Sequence, residues 1–273
     1  MSNEPWDRPT NVRWRIVGLL LAFSFMSWFN RTSISVAYVG QIKSEFGISE
    51  EAMGAVISAF LIAYMLCMTP GGWLADRFGP WAALVVMGIG SGLFGILTGC
   101  VGFLVQPAGG IDFSLLATLT GCVSFLAQSS ALLFLFLIVR TIMGAFTAPI
   151  YPASTRIVSY WIPFHQRAMV NGMIMAAALV GIASTFHVFG TLVDSFRWPM
   201  AFAITGTFTT VLAVLWAWYA KDHPEQHRHV NPAEEIWIRR NKVSFVEAGF
   251  TTKYPPESEF SRDAGFLSGA TAA

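Results

Sequence analysis

The sequence contains few charged residues. Only 12% of its 273 residues are charged and 54% are hydrophobic, whereas about a quarter of the residues in an ordinary soluble domain are charged. Between Glu51 and Asp194 the only acidic residues are Asp76 and Asp112. This composition excludes a soluble domain with a charged surface and indicates a protein that lies in a lipid bilayer.

Cysteine and catalytic groupings are scarce as well. Cys67, Cys100 and Cys122 stand far apart in apolar runs, a spacing that fits neither a disulfide framework nor a metal cluster. No Ser-His-Asp, Cys-His or paired-carboxylate arrangement is recognisable in the sequence. We therefore predict that the protein is not an enzyme, and we expect no cofactor, no metal and no nucleic-acid partner.

What the sequence does contain is a series of uncharged runs, each long enough to cross a bilayer, which takes about 20 helical residues. Such runs must be helical, because backbone polar groups have to be satisfied within the membrane. The prediction is an all-α polytopic membrane protein with six transmembrane helices, over residues 14–38, 52–73, 81–105, 130–160, 168–193 and 198–220.

Basic residues at the helix ends predict the orientation. One side collects most of them and the other has only Lys43 and Arg197, so the positive-inside rule places both termini in the cytoplasm. The expected location is the cell (inner or plasma) membrane. We expect residues 1–13 to be an amino-terminal tail, 14–220 the bundle and 221–273 a mostly disordered cytoplasmic tail. Asn231, followed by Pro232 and Glu234, predicts a helix start within that tail.

The region before the fourth crossing is too long for one helix. A helix over residues 113–160 would be about 70 Å long, and the segment LTGCVGFL at 97–104 recurs as LTGCVSFL at 119–126. A further crossing here would reverse the side on which the later basic residues lie. We therefore predict a helical extension or re-entrant segment on the outer side, near residues 106–128.

The turn GGWLADRFGP, residues 71–80, fits the pattern G-x-x-x-D-R-x-G with Gly72, Asp76, Arg77 and Gly79. Glycines allow helix ends to approach closely and to turn tightly, and Asp76 can cap the next helix or pair with an arginine of a neighbouring one. This loop resembles the signature of the major facilitator superfamily of secondary transporters, which implies a gating role for the four residues.

Three other stretches are similar to one group in that superfamily: NRTSISVA in the first helix, RTIMGAFTAPIYPASTR at 140–156 and YWIPFHQRAMVNGM at 160–173. Together with Tyr64 they resemble the anion:cation symporters, which carry sugar acids and other organic anions. The resemblance implies a 3+3 inverted repeat that forms the amino-terminal half of a twelve-helix fold, and a coupling cation, H⁺ or Na⁺.

A six-helix half leaves three alternatives open. The chain is a fragment or truncated form, a half that pairs with a carboxy-terminal half or a second copy, or a non-transporting binding or structural protein derived from a transporter half. Gly90 to Gly95 match G-x-G-x-x-G, but within a membrane helix we interpret Gly88, Gly92, Gly95 and Gly99 as small residues for helix packing.

Two arginines, Arg31 and Arg140, are the only formal charges deep in the predicted membrane region, and no Asp or Glu lies there to neutralise them. A charge at a helix centre costs about 2.5 to 3.5 kcal/mol. Arg31 is close enough to a helix end to reach out of the membrane, which remains an alternative for it. We expect a bound carboxylate to balance both arginines, in a substrate-binding site formed by Trp28, Asn30, Arg31, Tyr64, Arg140, Thr147 and Tyr151.

The sequence departs from the group at two of these positions. Members often carry Asp where this chain has Asn30 and Glu where it has Thr147, and those carboxylates are associated in the group with proton coupling. Neither Asn nor Thr titrates in the physiological range, so carboxylate-based proton symport is not expected here. His187 is the one His within a predicted crossing and an alternative titrating group.

Overall fold

The fold consists of long helices joined by short turns. The structure, a computed structural model, describes residues 9–105 and 124–238, and for 104, 105 and 124–131 it describes the backbone only. The main elements are α1 (Val12–Ala37), α2 (Lys43–Phe46), α3 (Glu50–Phe78), α4 (Pro80–Val105), α5 (Ser124–Thr147), α6 (Ile150–Trp161), α7 (Phe164–Ser184) and α8 (Gly190–Tyr219). The π-helical turns Tyr38–Ile42 and Thr185–Phe189 join α1 to α2 and α7 to α8.

Five segments of the described chain are long and apolar enough to cross a membrane. The last, Phe164–Tyr219, is 56 residues long and contains both the fifth and the sixth predicted crossings. Before Arg197 it runs parallel to α1, since Ser24 bonds to Ile174 and Thr185 to Phe29. After Arg197 it runs antiparallel, since Asn30 bonds to Thr209 and Phe23 packs against Trp216. Within residues 9–105 and 124–238 the chain therefore passes along the bundle six times.

The fourth crossing differs from the single helix predicted over 130–160. Helix α5 ends at Thr147 and α6 begins at Ile150, because Pro149 has no N–H with which to continue the α5 hydrogen bonds. Helix α5 already begins at Ser124, so the predicted outer segment near 106–128 overlaps it, and residues 106–123 lie outside the described residues.

The reversal at Arg197 is held by the end of the first crossing. Arg197 has a φ of 66° and a ψ of 158°, a conformation that glycine adopts readily and that costs a non-glycine residue about 1 to 3 kcal/mol. Glu45 pairs with the Arg197 guanidinium and accepts a hydrogen bond from Trp198 Nε1 at 3.1 Å. Gln41 accepts the backbone N–H of Trp198, also at 3.1 Å. These bonds offset the backbone strain and fix the turn.

The helices pair as an inverted repeat requires. The three most extensive contacts join α4 to α8, α3 to α5 and α1 to α7, which are the third with the sixth crossing, the second with the fourth, and the first with the fifth. Exchanging the first three crossings with the last three converts the first–fifth pair into the fourth–second pair and leaves the third–sixth pair unchanged. This symmetry is that of the predicted 3+3 repeat.

Glycines of α4 allow close contact with α8. A Cβ placed on Gly92 would lie 2.3 Å from Thr210 Oγ1, and one on Gly99 would lie 2.4 Å from the Pro199 carbonyl oxygen. Gly88 and Gly95 meet α8 at similarly short range, at 2.6 and 3.2 Å. The interpretation of these residues as small packing residues is confirmed.

The segment after α8 packs on the end of the bundle where Asp76 lies, which we call the Asp76 end. We call the opposite end, where Gly47 lies, the Gly47 end. A helical stretch spans 232–238, and Asn231 Oδ1 caps it by accepting the Glu234 N–H at 2.9 Å, as the sequence predicted. The Glu234 side chain is fully buried and lies 3.6 Å from the Arg13 guanidinium. Residues 231–238 are thus attached to the start of α1.

Replacing Gly92 by Ala is expected to lower the free energy of unfolding by about 1 to 3 kcal/mol, because the added methyl group overpacks the contact with α8. The matched control is Gly172→Ala in α7, where nothing lies within 4 Å of the new Cβ. That change should be neutral or stabilise by up to about 1 kcal/mol, since Ala favours helix. Thermal unfolding in detergent measures both, and equal effects would contradict the packing role.

Stability should also fall as the pH is lowered below the ordinary His pKa of 6.5. His227 lies against Trp161 and Tyr219, and its burial, with a smaller contribution from the charges of His229 and Lys221, lowers its pKa. The unfolded chain then binds more protons than the folded one below pH 6.5, so acid favours unfolding.

The measurement is the unfolding temperature of the protein and of His227→Asn at pH 7.5 and 5.5. Asn does not titrate, so the variant should lose part of the acid-induced decrease, while the exposed control His165→Asn keeps it. An identical decrease in all three proteins would show that His227 does not contribute.

Candidate functional site

The guanidinium of Arg31 lies among aromatic rings of α1 and α3. Its Cζ atom is 4.4 Å from the centroid of the Trp28 ring, 5.0 Å from that of Tyr64 and 5.4 Å from that of Phe60. Trp28 is one turn nearer the Asp76 end, so the side chain extends away from the nearer Gly47 end. The alternative that Arg31 reaches out of the membrane at that end does not fit this direction.

Arg140 of α5 is buried in the bundle with an exposed fraction of only 1%. Its Nη1 donates a hydrogen bond to the Asn30 carbonyl oxygen at 3.0 Å, and its Cζ lies 4.9 Å from the Phe202 ring centroid. Nε and Nη2 are buried without a hydrogen-bond partner among the described residues. A buried charge with unsatisfied donors is costly, so this guanidinium is suited to an anionic ligand.

Both arginines line one small cavity between α1, α3 and α5. Its other walls are apolar: Ile34, Val56, Ile57, Phe60 and Leu61. Within residues 9–105 and 124–238 the ion pairs are Arg13–Glu234, Lys43–Glu50, Arg156–Asp76 and Arg197–Glu45. Neither cavity arginine is therefore neutralised by a carboxylate of the described chain.

The other predicted site residues divide into two sets. Trp28 Nε1 donates a hydrogen bond to the Tyr151 hydroxyl oxygen at 2.5 Å, which brings Tyr151 beside the aromatic rings around Arg31. The Asn30 amide instead donates to Thr209 Oγ1 at 2.7 Å, and Thr147 Oγ1 donates to the carbonyl of Met143 in its own helix. Asn30 therefore contacts Arg140 through its backbone alone.

Sequence reasoning missed the apolar lining and two contacts of the arginines. Phe60 precedes Tyr64 by four residues, which places both on one face of α3, so helical spacing offered a signal for it. Phe202 comes from the sixth crossing, and nothing in the local sequence connects it to Arg140. His187, the predicted alternative titrating group, lies on an exposed surface of the Thr185–Phe189 turn.

The loop for which a gating role is predicted makes some of the expected contacts and not others. Asp76 pairs with Arg156 of α6, while the cap of α4 comes from Asp222, whose Oδ1 accepts the Trp81 N–H at 2.8 Å. Gly79 has a φ of 90°, as the tight turn requires. The close approach to α6 is made by Gly71, whose added Cβ would lie 3.0 Å from Pro149, rather than by Gly72. Arg77 lies over the rings of Trp73 and Phe78.

Comparison with protein families agrees with this architecture. The model of the Major Facilitator Superfamily matches residues 20–268. The chain belongs to this superfamily. Its long apolar helices are those of an integral membrane protein.

Several curated relatives transport organic anions, according to their names. The chain is 29% identical to a probable galactarate/D-glucarate transporter of Bacillus subtilis, over 88% of this chain and 47% of that protein. It is 28% identical to a probable sulfoacetate transporter of Cupriavidus necator, over 81% and 45%, and 26% identical to a D-galactonate transporter of Escherichia coli, over 85% and 47%. The chain spans about half the length of these relatives.

Solved structures show the same fold. The proton:xylose symporter XylE, bound to 6-bromo-6-deoxy-D-glucose, superposes with a TM-score of 0.62 at 15% identity, over 88% of this chain and 55% of that one. XylE in an inward open conformation gives a TM-score of 0.61 at 16% identity. The six crossings therefore correspond to the six helices of one half of the superfamily fold.

Replacing Arg140 by Met should stabilise the protein when no anion is added. An apolar side chain of similar length removes a buried charge with two unsatisfied donors, and such replacements are neutral or stabilising by about 1 to 4 kcal/mol. The control is Arg15→Met at an exposed position of α1, expected within about 0.5 kcal/mol of the parent. A clear loss of stability on thermal unfolding of Arg140→Met in detergent would contradict the unpaired state of this guanidinium.

Proposed function

We propose that this chain is a six-helix half of a secondary transporter for an organic anion, and that the anion binds between Arg31 and Arg140. The observation that supports this most strongly is the Arg140 guanidinium, which is buried, has a single oxygen acceptor among the described residues, and lines the same cavity as Arg31. A carboxylate accepts bidentate hydrogen bonds from arginine and supplies the missing negative charge.

Sugar acids are the substrate class that fits best. The relatives described above are named as transporters or probable transporters of galactarate, D-glucarate, D-galactonate or sulfoacetate, each of which has at least one anionic group. Two arginines suit a carboxylate with a second anionic or hydroxyl-bearing end. Tyr64 would donate a hydrogen bond to the anion or to a hydroxyl, and Trp28 would provide an apolar wall for the carbon chain.

The surroundings of the site follow from the same proposal. The Asp76 end, rich in Arg, would face the cytoplasm of the cell (inner or plasma) membrane. A carboxy-terminal half or a second copy would cover the α3–α6 face, since alternating access needs two units that rock about the site. The coupling cation, H⁺ or Na⁺, would act elsewhere than at Asn30 or Thr147, which carry no titrating group.

Binding is tested first, by thermal unfolding with added D-glucarate. A ligand at 100 times its dissociation constant stabilises the folded protein by about 2.7 kcal/mol, so the unfolding temperature should rise. Arg140→Met and Arg31→Met should each abolish the rise, and the exposed control Arg15→Met should retain it. A rise that persists in both cavity variants would place the anion elsewhere.

Transport is tested separately with labelled D-glucarate and membrane vesicles. We expect uptake when the chain is co-expressed with the second half of the Bacillus subtilis relative, and loss of uptake with Arg140→Met. Uptake by the chain alone would indicate a self-pairing transporter. Anion binding without uptake in either arrangement would favour a non-transporting binding protein.

A further inference from the structure

A second cavity lies next to the arginine cavity, on the side of the Asp76 end. It is an open groove with a volume of about 830 Å³ between α3 and α6. Its lining includes the polar side chains Thr69, Thr155, Arg156 and Ser159. A hydrated anion is better accommodated by such a groove than by the apolar walls of the smaller cavity.

The order of residues along α3 shows what separates the two cavities. Val56, Ile57, Phe60 and Leu61 line the arginine cavity, whereas residues 65–69 line the groove. Tyr64 stands between these two sets. On α1, Trp28 likewise lies one helical turn from Arg31 toward the Asp76 end.

A direct bond closes the space between these elements. Trp28 Nε1 donates a hydrogen bond to the Tyr151 hydroxyl oxygen across the α1–α6 interface. Tyr151 also lines the groove. On the opposite side of this hydrogen bond, Trp28 and Tyr64 both stack against the Arg31 guanidinium. Tyr151 thus faces the groove, and Trp28 and Tyr64 lie against Arg31, which lines the arginine cavity.

We propose that Trp28, Tyr64 and Tyr151 form a gate between the arginine cavity and the groove, with the Trp28–Tyr151 hydrogen bond as the contact that holds it closed. The proposal rests on the proposed function, because it takes the arginine cavity as the anion site. When the bond breaks, α1 and α6 separate locally, and an anion passes between the arginines and the polar groove toward the Asp76 end.

The gate is neutral and aromatic, which suits its position. Rings next to a guanidinium stabilise the cation without neutralising it, so Arg31 keeps its charge for the ligand. An anion that enters would compete with the rings for Arg31 and thereby draw the guanidinium away from Trp28. Binding and gate opening are coupled in this way through one side chain.

The test measures how fast a small neutral reagent, methyl methanethiosulfonate, reaches each compartment. In a background with Cys67, Cys100 and Cys122 replaced by Ala, Ile57→Cys introduces a thiol into the arginine cavity, the cavity thiol, and Thr155→Cys introduces one into the groove, the groove thiol. In the closed state the cavity thiol should react at least about tenfold more slowly than the groove thiol, a ratio that corresponds to about 1.4 kcal/mol. Equal rates would show that no barrier exists and would overturn the gate.

Tyr151→Phe removes one hydroxyl group and Trp28→Phe removes the indole donor, so each breaks the bond while an aromatic ring remains. Loss of one hydrogen bond shifts an opening equilibrium by about fivefold, and each variant should speed the reaction of the cavity thiol by about that factor. The reaction rate of the groove thiol should be unaffected. An unchanged rate for the cavity thiol in both variants, or an equal acceleration of the groove thiol, would overturn the gate.

Failure of the anion assignment is distinguishable from failure of the gate. D-glucarate should slow the reaction of the cavity thiol, because a bound anion covers the cavity. If D-glucarate leaves that rate unchanged, the assignment of the anion site is overturned. The two aromatic variants are compared without any anion, so their effect on the rate of the cavity thiol depends only on the barrier.

Discussion

A buried positive charge without an internal counter-charge is the constraint on which the rest of this structure depends. Arg140 is almost completely buried and donates a hydrogen bond to one backbone oxygen of the described chain, that of Asn30. Water is absent from a bilayer core, so a protein that keeps such a group there gives up stability for it. The bundle holds Arg140 in position through α1, and the same helix carries Arg31 to the other side of the cavity.

The inverted repeat explains why two arginines meet. Arg31 belongs to the first crossing and Arg140 to the fourth, which the repeat symmetry exchanges. The first crossing pairs with the fifth and the second with the fourth, and the cavity lies between these two parallel pairs. The cavity is thus lined by helices of both pairs.

Sequence patterns predicted the architecture well, because apolar runs and helix-end charges are properties of each segment alone. The helix boundaries inside runs were harder: Pro149 divides the fourth crossing, and the reversal at Arg197 depends on Glu45, more than 150 residues away in sequence. For the site, the lack of acid around Arg31 and Arg140 was readable from the sequence. The choice of partner for Asn30, Asp76 and Asp222 was not, because each bond depends on which helices are neighbours.

Local patterns also predicted the type of some contacts but not the residue that makes them. Gly71 rather than Gly72 makes the close approach to Pro149, since one residue in a helix changes the direction by about 100°. The glycines of α4 were predictable as a set, because small residues at several turns of one helix indicate a close neighbour whatever that neighbour is.

The two ends of the bundle are held by different parts of the chain. At the Gly47 end, Glu45 accepts hydrogen bonds from both Arg197 and the buried Trp198. These bonds join α2 to the start of the sixth crossing. At the Asp76 end, the Asp76–Arg156 pair is largely exposed, and exposed ion pairs contribute little. The Asp76 end is therefore held mainly by the segment after α8, through the Asp222 cap of α4 and the buried Glu234–Arg13 pair, so that loss of this segment would loosen one end of the bundle and leave the other intact.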